Sequence, residues 1–177
     1  DSNFMKAAEN NMEYNLINPK TNEIAGSLNA RDVFNKIVAG AWRNGEPGMI
    51  FLDQVNKDNH VKETYGEMIA TNPCGEQPLL GNESCNLGSV NLAKFYTKAD
   101  GPTHGWDEKV DWNRLEWVTR KAVHFLDNVI DANKYATSEI EQMTKATRKI
   151  GLGVMGFADL LIQMHIPYNS STARDVG

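Results

Sequence analysis

Prolines at 73 and 78 and a glycine at 75 bracket one of this chain's two cysteines, in the stretch Thr71-Asn72-Pro73-Cys74-Gly75-Glu76-Gln77-Pro78-Leu79-Leu80. Proline removes a backbone donor and glycine loses backbone entropy on ordering, so no helix can run through Cys74 and the segment has to be a shaped loop. The second cysteine, Cys85, lies eleven residues on, in Gly81-Asn82-Glu83-Ser84-Cys85-Asn86-Leu87-Gly88-Ser89-Val90-Asn91-Leu92. In an extended geometry Asn72, Cys74 and Glu76 point to the same side at a period of two, so one small substrate can meet amide, thiol and carboxylate together.

Composition narrows what that loop serves. At 177 residues, 41% hydrophobic and 23% charged, the chain has the balance of one globular domain, or of a piece of a larger one. A net charge of −5 argues against a nucleic-acid polymer as main partner, because such binding needs a basic stripe to displace counterions. A small phosphorylated ligand stays open. No apolar run is long enough for a membrane span and no signal-peptide pattern opens the chain, which sets the default expectation of a cytoplasmic protein. Two cysteines make neither a disulfide framework nor, without further Cys or His at ligand spacing, a zinc site; used together, they suit redox cycling. The first residue is not methionine, and the last residues, from Asn169 to Asp175, read as a helix cap and first turn with no helix after them, so a segment of a longer protein is expected.

Patterning predicts an α/β chain. Ser2 to Asn10 reads as a short helix, and Tyr14 to Leu28 as a hairpin around Asn18-Pro19-Lys20-Thr21-Asn22. Asn29 is placed to cap a helix carrying Val33, Phe34, Ile37, Val38, Ala41 and Trp42, which Asn44-Gly45 ends. Gly48 to Asp53 suits a buried strand, followed by a polar connection from Gln54 to Glu67. Ser84 to Leu92 reads as a strand weakened by Gly88, and Tyr96 to Gly105 as a surface loop. A long helix from Trp112 to Asp131, capped by Asp111, gathers Leu115, Val118, Ala122, Phe125, Leu126, Val129 and Ile130 on one face. Ser138 with Glu141 forms a capping box for a helix reaching Arg148; Ile150 to Val154 is a further buried strand and Phe157 to Met164 a helix.

Each candidate residue has a plainer reading. Cysteines are most often small buried hydrophobes, but neither Cys74 nor Cys85 is on an apolar face, and Cys74 sits among polar neighbours in a constrained loop. Most glutamates are solvated; Glu76, two residues from a thiol, is a candidate general base. Asn72 before proline is an ordinary turn signal unless the constellation holds. Gly151-Leu152-Gly153-Val154-Met155-Gly156 matches the dinucleotide fingerprint letter for letter, yet a capped helix runs almost up to Gly151 and no acid ends a second strand at the right distance, so it reads as a decoy. The four histidines show no ligand spacing, and the four tryptophans read as packing rather than a stacking platform.

The run Asn72-Pro73-Cys74-Gly75-Glu76-Gln77-Pro78-Leu79 with Glu83-Ser84-Cys85-Asn86-Leu87-Gly88-Ser89-Val90-Asn91-Leu92 resembles the catalytic subunit of ribonucleotide reductase. The likeness continues through Gly48 to Asp53, Phe125 to Asp131 and Met143 to Leu161, so it covers essentially the whole chain as one partial catalytic barrel domain, residues 1–177. Pro73 with Gly75-Glu76-Gln77, and the short interval to Cys85, resemble the adenosylcobalamin-dependent class. The resemblance implies a ten-stranded α/β barrel with the cysteine loop as a central finger, of which this segment supplies some strands. It implies a ribonucleoside-diphosphate reductase in which Cys74 is the thiyl radical that removes the 3′ hydrogen, Glu76 takes the 3′-hydroxyl proton and Asn72 hydrogen-bonds the substrate hydroxyls. Cys85 becomes one of two thiols that end as a disulfide, reset by a thioredoxin-type dithiol. The other reducing cysteine and the nucleotide-effector loops are expected upstream, the main phosphate loop downstream, and the isolated segment is expected to be inactive.

Two alternatives differ in cofactor or in class. One is the reductase type that takes its radical from a separate diiron or dimanganese subunit. The other is a non-catalytic nucleotide-binding or assembly module, which has no need for Asn72, Cys74, Glu76 and Cys85 together.

Overall fold

The computed structural model describes residues 1–98 and 105–177, which form two compact units, residues 1–81 and 82–177.

In the first unit Asp1 accepts the Phe4 N–H and opens α1 (Ser2–Glu9). The turn-rich cluster joins β1 (Glu13–Ile17) to β2 (Ile24–Asn29), paired antiparallel with Tyr14 opposite Leu28 and a register slip between Leu16 and Ile17. Asn18 holds that turn, donating its N–H to the Glu23 carbonyl at 2.9 Å and accepting the Lys20 N–H on its side chain. Asn29 caps α2 (Ala30–Asn44) by accepting the Asp32 N–H, and Gly45 ends it at φ 84°, a left-handed conformation that costs glycine nothing sterically. α1 packs on α2, where Ala8 and Ala30 are buried and the Arg31 guanidinium donates to the Glu9 carbonyl at 2.8 Å. The apolar stripe of α2 is not covered along its length: Val38 is 51% and Trp42 91% exposed.

The strand expected over Gly48 to Asp53 does not form. Residues 46–51 have no regular structure, Met49, Ile50 and Phe51 are exposed, and a single helical turn, α3 (Leu52–Val55), begins where the strand should end. An apolar run becomes a strand only when a neighbouring strand takes its backbone groups. Here the Phe51 carbonyl accepts instead from the N–H groups of Gln54 and Val55, both at 3.0 Å. The connection that follows carries a second short turn, α4 (Lys62–Tyr65), and leads to a small antiparallel pair, β3 (Ala70–Thr71) with β4 (Pro78–Leu79).

In the second unit the strand expected after Ser84 is β5 (Asn86–Asn91), followed by a 3-10 turn over Leu92–Phe95 capped by Asn91. Tyr96 bridges to Val110, so the expected surface loop begins paired; its residues 99–104 lie outside the described residues. Asp111 caps α5 (Trp112–Ala132) by accepting the Arg114 N–H. Of its predicted face Leu126 and Ile130 are buried, but Phe125 is 67% exposed. Gly88, which weakened the strand reading, lies under Leu126 of α5, and a Cβ there would meet that side chain at 3.6 Å, an ordinary van der Waals contact. The cap of α6 (Ser138–Thr147) is Thr137, whose hydroxyl accepts the Ile140 N–H, and not Ser138. The capping box fails by one residue: Glu141 pairs with Lys145 on the helix surface, and Ser138 donates to Glu139.

β6 (Ile150–Met155) runs parallel to β5, from Asn86 opposite Ile150 to Asn91 opposite Met155. It is a strand as expected, though Val154 and Met155 at its end are exposed. Gly151 and Gly153 lie inside this strand rather than in the turn after it, where the dinucleotide fingerprint needs them, which fits the decoy reading. Gly156, at φ 71°, opens α7 (Phe157–Gln163), and Ser170 caps α8 (Ser171–Val176). Val90, Phe95, Val110, Leu160 and Met164 form the core. The chain is thus mixed α/β, but its described residues make three two-stranded sheets and no closed barrel.

Candidate active site

The cysteine loop is a tight hairpin tip. The Ile69 N–H donates to the Leu79 carbonyl (3.0 Å), the Asn72 N–H to the Gln77 carbonyl (3.2 Å) and the Gly75 N–H to the Asn72 carbonyl (3.0 Å). The Asn72 side chain adds a fourth tie, its Oδ1 accepting the Gln77 N–H at 3.0 Å. The expectation of an extended run is therefore corrected: residues 73–77 are turn and bend, with Gly75 at φ 84°, and a period of two does not apply there. Asn72, Cys74 and Glu76 still share one loop, because the turn closes on Asn72. Cys74 and Glu76 are exposed and Asn72 half-buried.

The grip on this hairpin comes from residues that a reading of polarity passes over. Asn56, buried in the stretch taken as a plain polar connection, accepts the Met68 N–H (2.8 Å) and donates to the Met68 carbonyl (2.9 Å) and the Leu52 carbonyl (3.0 Å). Asn59, also buried, donates to Asn56 Oδ1 and to the Gly66 carbonyl, both at 3.1 Å. Met68 immediately precedes the first hairpin rung. The only sequence signal was a pair of asparagines three apart, Asn56 and Asn59.

Cys85 belongs to the second unit and is half-buried just before β5. Its neighbours are fastened to three separate stretches of chain. Glu83, with its side chain wholly buried, accepts from Lys149 Nζ at 2.7 Å. The Ser84 and Thr144 hydroxyls are 2.9 Å apart, and Asn86 Nδ2 donates to the Leu126 carbonyl at 3.0 Å. Beside Lys149, Arg148 grips α5: it donates to Asp127 Oδ1 (2.8 Å) and to both oxygens of Asp131 (3.0 and 2.9 Å). The Arg148 hydrogen bonds hold both aspartate carboxyls below their ordinary value of 3.8.

Three predicted residues thus stand in one hairpin of the first unit and the fourth in a side-chain mount of the second. Among the described residues no group of three His, Cys, Asp or Glu side chains can hold a metal ion, and no helix is long and apolar enough to cross a membrane. An apolar cleft of 420 Å³ in the second unit, walled by Leu92, Phe95, Leu115, Phe157 and Leu160, includes none of the predicted site residues and no titratable side chain.

The family model described as ribonucleotide reductase, barrel domain, matches residues 1–177. A vitamin B12-dependent ribonucleoside-diphosphate reductase of Thermoplasma acidophilum is 48% identical over 174 residues, 98% of this chain and 22% of that protein. One of the same name from Mycobacterium tuberculosis is 48% identical over 170 residues, 96% of this chain and 23% of its own. A vitamin B12-dependent ribonucleotide reductase of Agrobacterium fabrum is 31% identical over 173 residues, 98% of this chain and 13% of its own. The chain spans less than a quarter of the length of these relatives.

Proposed function

The chain belongs to the ribonucleotide reductase barrel-domain family, and on that premise we propose that it carries part of the catalytic centre of an adenosylcobalamin-dependent ribonucleotide reductase. The observation that carries this reading is the hairpin tip, which puts an exposed thiol and an exposed carboxylate on one loop closed by Asn72. The names of the relatives support the cobalamin type over one with a separate radical subunit. The rest of the parent chain completes the ten-stranded barrel, with this hairpin as its finger. The exposed Leu87, Val154 and Met155 of β5 and β6 suit strands that acquire further neighbours.

Adenosylcobalamin, when bound, supplies a carbon-centred radical that can take a hydrogen atom from a thiol. The residues fit that demand at Cys74, which is exposed at the turn and so open to an acceptor from outside the loop. The residue of this chain that would meet the group chemically is Cys74. As a thiyl radical Cys74 takes the 3′ hydrogen atom of the ribonucleotide. Glu76 accepts the 3′-hydroxyl proton, and Asn72, with Oδ1 engaged by the loop, offers its Nδ2 amide to the substrate hydroxyls. The 2′-hydroxyl leaves as water. Cys85 and a second thiol of the parent chain give up two electrons and two protons, forming one S–S bond, and Cys74 returns the hydrogen to C3′. A thioredoxin-type dithiol reduces that disulfide, nucleotide effectors act through regions outside this chain, and the setting is the cytoplasm.

The test is Cys74→Ser in the full-length parent, assayed with adenosylcobalamin and no second subunit. Serine keeps the size but is a far poorer hydrogen-atom carrier. Loss of reduction with substrate binding retained is expected; measurable turnover overturns the reading.

A further inference from the structure

We propose that the Glu83–Lys149 ion pair and the Ser84–Thr144 contact form a rigid mount that aims Cys85 for disulfide formation, making Lys149 and Thr144 positioning residues of the reductive half-reaction. This rests on the functional reading above. Three residues flanking Cys85 are tied to three separate stretches of chain: Glu83 to Lys149 just before β6, Ser84 to Thr144 on α6, and Asn86 to Leu126 on α5. The parallel register of β5 and β6 begins with Asn86 opposite Ile150, the residues that directly follow Cys85 and Lys149.

The ion pair is an expensive way to build this corner. Glu83 is wholly buried and the Lys149 side chain only 16% exposed, and desolvating two such charges can exceed their mutual attraction. An apolar pair of similar size would hold the fold at least as well. A short, directional charged contact instead fixes the chain just before Cys85, and the Asn86 amide fixes it just after. A disulfide tolerates only a narrow range of Cα separation, so the thiol has to be held in place before it reacts. Two thiols lose two electrons and two protons as one S–S bond forms; the C2′–O bond breaks, the 2′-hydroxyl leaves as water with one of the protons, and the two electrons with the other proton make the new C2′–H bond.

The experiment is single turnover in the full-length parent, following two events: oxidation of Cys85, by mass of its peptide, and 3′-hydrogen chemistry, by the fraction of tritium from 3′-labelled substrate that exchanges from the Cys74 thiol into water before it is returned. Glu83→Met/Lys149→Met removes both charges and leaves none buried alone. It is expected to keep the melting temperature and 3′-tritium release of wild type while Cys85 oxidation slows about 10- to 100-fold, the scale of a small misplacement of a reacting group. Thr144→Val, which loses only the Ser84 contact, is expected to slow the same step less. Wild-type oxidation rates in either folded variant, or equal slowing of both events, overturn the proposal. If the double variant does not fold, Thr144→Val decides alone. Cys85→Ser serves as control: if it turns over normally with a dithiol reductant, the functional reading has failed and takes the proposal with it, whereas an inactive Cys85→Ser beside wild-type Cys85 oxidation in the mount variants overturns the mount alone.

Discussion

The two cysteines are held by opposite means. Cys74 stands on a turn shaped by backbone hydrogen bonds and a single Asn72 side chain, and its thiol is exposed. Cys85 is half-buried, and it is its neighbours' side chains that are tied down, by a buried charge pair, a hydroxyl pair and an amide. The difference matches the chemistry proposed for each. A hydrogen-atom carrier has to be reached by a radical source and by substrate, so it sits at the tip of a loop. A thiol that must meet one particular sulfur gains from being fixed, and side-chain ties from three stretches of chain fix it.

The largest expected effects come from the thiols themselves. Cys74→Ser and Cys85→Ser in the full-length parent should each abolish normal turnover with a dithiol reductant, but at different steps. Cys85→Ser should still support 3′-hydrogen chemistry, and a disulfide at Cys85 should appear in wild type after one turnover and be missing from the variant. An unchanged Cys85 thiol in wild type would break the comparison.

Next is Glu76→Gln, which keeps length and hydrogen-bonding capacity but cannot accept the 3′-hydroxyl proton. A positioned general base contributes about 10² to 10⁴ in rate, and turnover should fall by that much at unchanged melting temperature. A rate within a few-fold of wild type would leave Glu76 only a loop residue.

Asn72 allows a finer cut, because its two roles use different atoms. Asn72→Asp keeps an acceptor for the Gln77 N–H and loses the amide donor, so it should lower turnover about tenfold with little change in melting temperature. Asn72→Ala should also lose the loop tie, about 1 kcal/mol of stability. Equal stability loss in both variants would contradict this division.

The smallest effect tests the support behind Lys149. Asp127 and Asp131 are held below their ordinary 3.8 by Arg148. A depressed carboxylate contributes stability above its unfolded value, and that contribution is lost as pH falls through the folded value. The parent's melting temperature should therefore drop as acid is added below about pH 4, and Arg148→Met should flatten that part of the profile. These groups are exposed, so the change should be modest.

Much of this was legible in the sequence where the signal is local. Asn29 with Gly45, and Asp111 with its apolar period, define α2 and α5 because caps and periodicity act within a few residues. The loop through Cys74 followed from Pro73, Gly75 and Pro78. What was not legible depends on distant partners. The run before Asp53 is apolar enough for a strand, but a strand needs a neighbour, and among the described residues none pairs with it. Glu83 and Lys149 are 66 residues apart and look like two ordinary surface charges until folding buries them together. Asn56 and Asn59 lie in what the sequence shows only as a polar connection, because polarity alone does not reveal a buried amide with its partners. The cap of α6 shifted by one residue because Thr137 and Ser138 are both competent and only the backbone path chooses.

The most direct test of the contrast between an approachable and an anchored thiol is tritium release from 3′-labelled ribonucleotide in the full-length parent, compared between Cys74→Ser and Cys85→Ser. Release is expected in Cys85→Ser and none in Cys74→Ser, with both variants folded and binding substrate. Release in Cys74→Ser, or its loss in a folded Cys85→Ser, would contradict that contrast.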